Sequence, residues 1–231
     1  MAKLYAVVPA SGVGTRMQAG RPKQYLALLG ATILEHTLNR LLAFSPIETI
    51  IVVISPEDEF WQQLNIRNHP RIKTCHGGAQ RYHSVLNGLN FIKDDLDTDE
   101  TTQVMVHDAA RPCINQTDLQ NLLNSACEQG SLLGLPVRDT MKRTNASGNV
   151  LTTVERDNLW HALTPQMAPL KVLLQAIQKC LDDKINITDE ASALEYFGLS
   201  PKMISADPNN LKVTRPGDLA LVEAYLLKEN P

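Results

Sequence analysis

Residues 4–25 read Leu-Tyr-Ala-Val-Val-Pro-Ala-Ser-Gly-Val-Gly-Thr-Arg-Met-Gln-Ala-Gly-Arg-Pro-Lys-Gln-Tyr. The run Leu4 to Val8 has the length and composition of a buried strand, and it empties directly into a glycine loop. Gly12 and Gly14 leave out Cβ atoms where backbone must come close to a ligand, and successive N–H groups in such a turn form a nest for anions. Arg16 and Lys23 add full positive charge, so the loop reads as a cradle for a triphosphate. Two commoner phosphate motifs are excluded by spacing. A Walker A loop needs Gly, four residues and Gly-Lys-Ser/Thr, and the dinucleotide fingerprint needs a third glycine where this chain has Met17.

Working outward, short β-branched runs alternate with amphipathic stretches, the pattern of a mainly parallel sheet covered by helices on both faces. Leu4–Val8, Thr49–Ile54, Ile72–Cys75, Gln103–His107 and Leu132–Val137 are the predicted strands. Helical spacing runs over Ile33–Phe44, through Val85, Leu86, Leu89 and Ile92, and over Asp118–Cys127 and Leu170–Leu181, with Pro216 opening a last helix. A short strand is predicted at Leu211–Thr214. With 231 residues, 43% of them hydrophobic, the chain is read as one α/β domain over 1–231, which leaves no room for a second catalytic domain.

The formal charge of −3 argues against a general nucleic-acid binder or membrane-surface protein, so any phosphate site must be local. No apolar run reaches the length of a membrane span, and the first residues are too short a run for a signal peptide, which points to the cytoplasm. Cys75, Cys113, Cys127 and Cys180 lie far apart with no partner at metal or redox spacing and read as packing residues.

Further residues fall at the same edge of the predicted sheet. Asp108 follows the Gln103–His107 strand, and ligands in open parallel sheets sit beyond the carboxyl ends of strands. A carboxylate facing a triphosphate repels it unless a cation intervenes, so Asp108 reads best as a magnesium ligand, with pairing to nearby Arg111 as the alternative. Ala109 and Ala110 suit a bulky ligand or a tight turn equally well. His107, closing an apolar strand, is given no catalytic role. Gly77-Gly78, with Ser84 beyond, is a plain strand-to-helix turn or the second wall of a slot for a pyrimidine base. Lys212 either snorkels to solvent or meets phosphate. Thr188 is predicted to cap a helix whose first turn is acidic. Residues 139–161 form a polar hairpin with Ser147-Gly148-Asn149 at its tip, either an ordinary surface hairpin or an arm packed on a second subunit.

Taken in order along the chain, Pro-Ala-Ser-Gly-Val-Gly-Thr-Arg-Met, Pro-Lys-Gln-Tyr, Ile-Leu-Glu-His, Val-His-Asp-Ala-Ala-Arg-Pro, Pro-Val-Arg-Asp-Thr-Met-Lys, Leu-Trp-His-Ala-Leu-Thr-Pro-Gln, Thr-Asp-Glu-Ala-Ser-Ala-Leu-Glu and Leu-Lys-Val-Thr-Arg-Pro-Gly-Asp-Leu resemble the 2-C-methyl-D-erythritol 4-phosphate cytidylyltransferase family. The resemblance implies a Rossmann-like nucleotidyltransferase fold with a protruding β-hairpin arm, a homodimer, and Mg²⁺. It also implies CTP and methylerythritol phosphate as substrates, pyrophosphate as a product, and a place in non-mevalonate isoprenoid precursor synthesis.

By that resemblance Arg16, Lys23 and Lys212 are the catalytic cations. Pro9, Ala10, Ser11, Gly12, Gly14, Gly78, Ser84 and Ala109 hold CTP, and Asp108 belongs to the metal and ribose region. Arg111 and Thr188, with Lys212, meet the substrate phosphate or polyol, while Thr140 and Arg156 reach from the arm into the neighbouring subunit's site. The chain has Ala79 where some relatives carry an acidic residue near the base, and backbone groups remain there to read it. Rival expectations are a cytidylyltransferase for another polyol phosphate such as ribitol 5-phosphate, and a nucleotide-binding regulatory module without turnover. An oxidoreductase is disfavoured by Met17.

Overall fold

The computed structural model describes residues 2–12 and 20–229. The chain runs β1 (Leu4–Pro9), β2 (Ala27–Leu28), β3 (Ala31–Thr32), α1 (Ile33–Leu42), β4 (Ile47–Ile54), β5 (Ile72–His76), α2 (Arg81–Asp95), β6 (Gln103–Val106), α3 (Gln116–Asn124) and β7 (Ser131–Pro136). It continues with β8 (Met141–Thr144), β9 (Val150–Val154), β10 (Trp160–Pro169), α4 (Leu170–Asp182), α5 (Glu190–Tyr196), β11 (Lys202–Ser205) and α6 (Pro216–Glu229). Seven strands form one sheet in the order β11-β7-β10-β6-β1-β4-β5. β1 pairs in parallel with β4 and β6, β4 with β5, and β7 with β11, while β10 runs antiparallel between β6 and β7.

The two faces separate cleanly along the strands, as a period of two requires. Leu4, Ala6 and Val8 of β1 and Ile50, Val52 and Ile54 of β4 pack with Leu34, Leu38 and Leu41 of α1 and Leu119 and Leu122 of α3. Tyr5, Val7, Ile51 and Val53 point the other way, onto Val85, Leu89 and Ile92 of α2 and Leu173 and Ile177 of α4. Each such fully buried Val, Leu or Ile contributes about 1.5–3 kcal/mol relative to exposure, so the central strands are fixed in register by both layers. Helices therefore cover both faces of a mostly parallel sheet, as the alternating pattern predicts. A Thr32–Glu35 capping box starts α1, and Asn115 caps α3.

The chain leaves β1 toward β4 and β5 on one side and later returns to β6 on the other. β1 is thus the point where strand order reverses, and the crevice beyond its carboxyl end is where a ligand fits an open α/β sheet. Ala10 N donates to Val53 O and Gly77 N to Ile54 O, so the glycine turns after β1 and β5 are pinned on either side of the end of β4.

Three sequence expectations differ from what forms. Leu211–Thr214 is not a strand. Its backbone is tied instead by Val213 N to Ala110 O, and Asp218 accepts from the N–H groups of Thr214 and Arg215 at the start of α6. Thr188 is not the cap of α5, because Asp189, one residue on, forms a reciprocal capping box with Ser192. Trp160 and His161 leave the hairpin for β10, so the ribbon proper is β8 paired with β9, turned at Asn145, whose Oδ1 accepts from Ser147 N and Asn149 N. Of the cysteines, Cys113 and Cys180 are buried and Cys75 is half-buried with its thiol pushed up to about 11 by burial, whereas Cys127 is exposed. Among the described residues no helix is long and apolar enough to cross a membrane.

Candidate active site

A crevice of about 470 Å³ opens beyond the ends of β1 and β6. Pro9, Ala10, Ser11 and Gly12 form one wall and Gly78 to Arg81 the facing one. Lys23 and Gln24 stand at one side, and Asp108 to Ala110 with Lys212 and Thr214 complete it. The volume lies in the range of small-molecule sites. Gly14 and Arg16 fall outside the described residues.

The two glycine walls are built as a unit. Ser11 Oγ and Ser84 Oγ share a hydrogen bond of 2.8 Å, and Gly78 N donates to Ser84 Oγ at 3.2 Å. A Cβ on Gly77 would stand 2.6 Å from Ser11 Oγ and 2.7 Å from Ser84 Oγ, so only glycine lets these turns meet. A Cβ on Gly12, by contrast, meets no atom of the described residues within 4 Å.

Gln24, to which the sequence reading gives no role, holds the first turn from beneath. Its buried side chain donates from Nε2 to Ala10 O at 2.6 Å and to Gly12 O at 3.1 Å. With both carbonyls turned back toward Gln24, the floor of the loop is set. Lys23 donates from Nζ to Val213 O at 2.8 Å, joining the segment after the loop to the one that carries Lys212. Nearby, the Tyr25 hydroxyl donates to Asp58 at 2.7 Å, and the Tyr25 ring stacks on Phe60.

Charge concentrates at the turn after β6. Asp108 is buried, with Lys212 Nζ 2.8 Å from Oδ2, Arg111 Nε 3.3 Å from Oδ2, and Arg81 3.3 Å from Oδ1. Burial alone raises a carboxyl; the Arg81, Lys212 and Arg111 charges overcome that and hold Asp108 well below the usual carboxylate range. Arg111 Nη1 donates to Asn210 O at 2.8 Å. Arg81 forks onto Glu190, with Nη1 2.6 Å from Oε1 and Nη2 3.2 Å from Oε2. Burial pushes the Glu190 carboxyl up and the Arg81 fork opposes it; at these distances we read the pair as ionised.

His107 explains how the turn keeps its shape. It is fully buried, between Thr164 Oγ1 at Nδ1 (3.1 Å) and Arg111 O at Nε2 (3.1 Å). Arg111 O can only accept, so Nε2 carries the ring proton and donates to it, which leaves Nδ1 to accept from the Thr164 hydroxyl, whose oxygen in turn accepts from Asp108 N. Burial lowers the imidazole pKa to about 4, which keeps it neutral at pH 7.

A second recess of about 240 Å³ adjoins the first and shares Arg81, Asp108 and Lys212 with it. Arg111, Thr164, Gln166, Thr188 and Asp189 are among its other walls. Lys23, Lys212, Asp108, Arg111, Ser11, Gly78, Ala109 and Thr188 are thus brought to one double recess, whereas Ser84 is buried behind its wall, bonded to Ser11 and Gly78. Thr140 and Arg156 are not brought there. Both are exposed, and Arg156 Nη1 bonds Arg138 O at 2.5 Å within the base of its own ribbon.

The Asp108 carboxylate does not fit a metal ion in this arrangement. Four N–H contacts from three cations already occupy its two oxygens, and among the described residues no three His, Cys, Asp or Glu side chains are grouped to hold one. The sequence favours Asp108 as a magnesium ligand; what forms instead is the alternative, pairing with Arg111, and Arg81 and Lys212 extend it. The signal for Arg81 was its position: a cation on the first turn of a helix opposes the macrodipole and needs another partner.

A family profile for 2-C-methyl-D-erythritol 4-phosphate cytidylyltransferase matches residues 4–228. A protein of that name from Tolumonas auensis is 51% identical over 226 residues, covering 97% of this chain and 96% of the relative. One from Actinobacillus pleuropneumoniae is 48% identical, covering 97% of this chain and 96% of the relative. Among solved structures, the Francisella tularensis 2-C-methyl-D-erythritol 4-phosphate cytidylyltransferase superposes with a TM-score of 0.84 at 34% identity, over 97% of this chain and 100% of that one. A crystal structure of 4-diphosphocytidyl-2C-methyl-D-erythritol synthase gives 0.86 at 35% identity, over 98% and 99%.

Proposed function

We infer the reaction from one premise: the chain belongs to the 2-C-methyl-D-erythritol 4-phosphate cytidylyltransferase family, and it transfers the cytidylyl group of CTP to 2-C-methyl-D-erythritol 4-phosphate with release of pyrophosphate. The observation that carries the residue roles is the double recess, in which Arg81, Asp108 and Lys212 face both compartments.

In this reading the base lies between the two glycine turns, against Pro9, Ala10, Ser11, Gly12, Gly78 and Ser84, with the ribose beside Ala109. The acceptor phosphate enters the second recess toward Arg111, Lys212 and Thr188. A phosphate monoester has a second pKa near 6, so at pH 7 it is already an anionic nucleophile and no general base is needed; a neutral, buried His107 is consistent with that. The acceptor oxygen bonds to the α-phosphorus of CTP while the bond to the bridging oxygen breaks, and the electron pair leaves with pyrophosphate. Lys23 and Lys212 stabilise charge on the transferring group by position and electrostatics, and Gly14 and Arg16 serve the leaving phosphates. Asp108 keeps three cations from repelling one another. The Mg²⁺ implied by the resemblance would take phosphate oxygens of the nucleotide as ligands and offset their charge.

The ribbon of β8 and β9 is exposed on both faces, with Met141, Val150 and Leu151 uncovered, and a lone two-stranded ribbon is marginal in water. That supports a homodimer in which the arm covers a partner and brings Thr140 and Arg156 to the partner's recess. Residues 1–231 then act as one domain with 139–161 as its arm. Both substrates are charged and cannot cross a bilayer unaided, which supports a cytoplasmic site of action.

Pyrophosphate release tests the reading. With a divalent cation present, CTP with methylerythritol phosphate is expected to turn over, and ATP, GTP and UTP are not. Turnover with ribitol 5-phosphate in place of methylerythritol phosphate would move the acceptor assignment, and no turnover with any pair would leave a binding module.

A further inference from the structure

Arg81 opens α2, where the helix end already carries partial positive charge, so its own element does not favour a cation there. Two other elements hold it. Nη1 and Nη2 fork onto both oxygens of Glu190, the first residue of α5, and Nε and Nη2 reach Asp108 Oδ1 at 3.3 Å. Glu190 is 3% exposed, so it has no water to fall back on, and removal of its partner leaves a buried carboxylate unpaired. The guanidinium therefore ties together α2, the turn after β6, and the start of α5, next to Thr188.

The nucleotide turns do not depend on this tie. Ser11, Gly78 and Ser84 are joined by their own hydrogen bonds, and Ala10 and Gly12 by Gln24. α5 itself is also held independently, since Gln166 accepts from Ala191 N at 2.7 Å and donates to Asp189 at 2.9 Å. What does depend on Arg81 is the direction of the Asp108 carboxylate, on which Lys212 is seated, and the charge balance of Glu190 behind the second recess.

We infer that Arg81, held by Glu190, is a positioning residue for the acceptor half of the reaction, aiming Asp108 and through it Lys212 at the acceptor phosphate. The inference rests on the reaction proposed above. A lysine keeps the charge at position 81 but presents one ammonium where a planar fork now spans two carboxylates. Arg81→Lys is expected to raise KM for methylerythritol phosphate at least tenfold and to lower kcat, while CTP affinity, measured by calorimetry without acceptor, stays within threefold of wild type. Glu190→Gln is expected to move the same quantities in the same direction by less, and the double variant should be no worse than Arg81→Lys alone, because the two residues act through one another.

Acceptor KM within twofold of wild type in folded Arg81→Lys would overturn the inference. So would a loss of CTP affinity as large as the rise in acceptor KM, which would make Arg81 a nucleotide ligand or a general support of the fold. If Arg81→Lys melts below the assay temperature, Glu190→Gln alone carries the comparison, with unchanged acceptor KM as the overturning result. Failure of the underlying reaction would show differently, as a wild-type protein that releases no pyrophosphate.

Discussion

The turn after β6 and the ribbon of β8 and β9 both carry charged side chains out of a strand, and they are supported in opposite ways. At the turn, Asp108 meets three cations from three separate parts of the chain, His107 locks the backbone from beneath, and Asn210 and Val213 fasten the segment that delivers Lys212. On the ribbon, among the described residues, the Lys142 side chain reaches Thr153 across the hairpin and the Arg156 side chain the carbonyl of Arg138. The first arrangement is built before any ligand arrives, so its electrostatics need little reorganisation when a triphosphate enters. The second has no such frame within one chain. A site that needs both draws its rigid half from the sheet and its other half from wherever the ribbon docks.

The largest expected break in the rigid half is at Lys23. Lys23→Met is expected to lower kcat by about 10²- to 10³-fold, the loss typical of removing one preorganised charge from a transition state, while thermal unfolding shifts little. Near-normal turnover in this variant would remove the cation cluster from the chemistry and leave it a structural device.

Next comes the support beneath the turn. The buried His107 imidazole titrates near 4 rather than 6.5. Between those values the unfolded chain has taken up a proton that the folded chain refuses, so stability falls as pH falls through that window. Over the whole window the effect is on the order of 3 kcal/mol. Denaturant midpoints followed from pH 7 to pH 4 should drop less steeply in His107→Gln than in wild type. Parallel slopes would mean that the imidazole is not held neutral as its hydrogen bonds require.

The smallest effect belongs to the ribbon. Arg156→Ala is expected to raise KM for the acceptor about tenfold, roughly 1.4 kcal/mol, with CTP affinity and the sedimentation coefficient unchanged from wild type. If the variant sediments as a monomer, Arg156 serves the interface rather than the recess.

Much of the rigid half is legible in the sequence because it follows from periodicity. The β-branched runs Leu4–Val8 and Thr49–Ile54, the glycines that end their neighbours, and Asp108 at a strand end all mark one edge of a sheet. What stays hidden depends on contacts across long separations. β10 follows a polar excursion, contains two prolines and runs antiparallel, so it lacks the signature of the other strands. Lys212 is delivered by an irregular segment whose apolar look suggests a strand, because Val213 is buried by packing rather than by a ladder. Glu190 sits where an acidic residue already suits a helix start, which conceals its second role as the seat of Arg81. Gln24 gives no periodic signal, since a buried amide answers to two carbonyls of a loop. The ribbon is legible as a hairpin from its tip, but what it packs on is not.

The most direct test joins the two halves. Lys212→Met disables the recess of its own chain, and Arg156→Ala disables the arm. Purified separately, mixed under conditions that allow subunit exchange, and assayed at acceptor below KM, the two should regain about a quarter of wild-type turnover, since half of randomly reassorted dimers contain one site with both parts intact. Turnover no higher than the mean of the two parent proteins would mean that each arm serves its own chain, and would contradict the account.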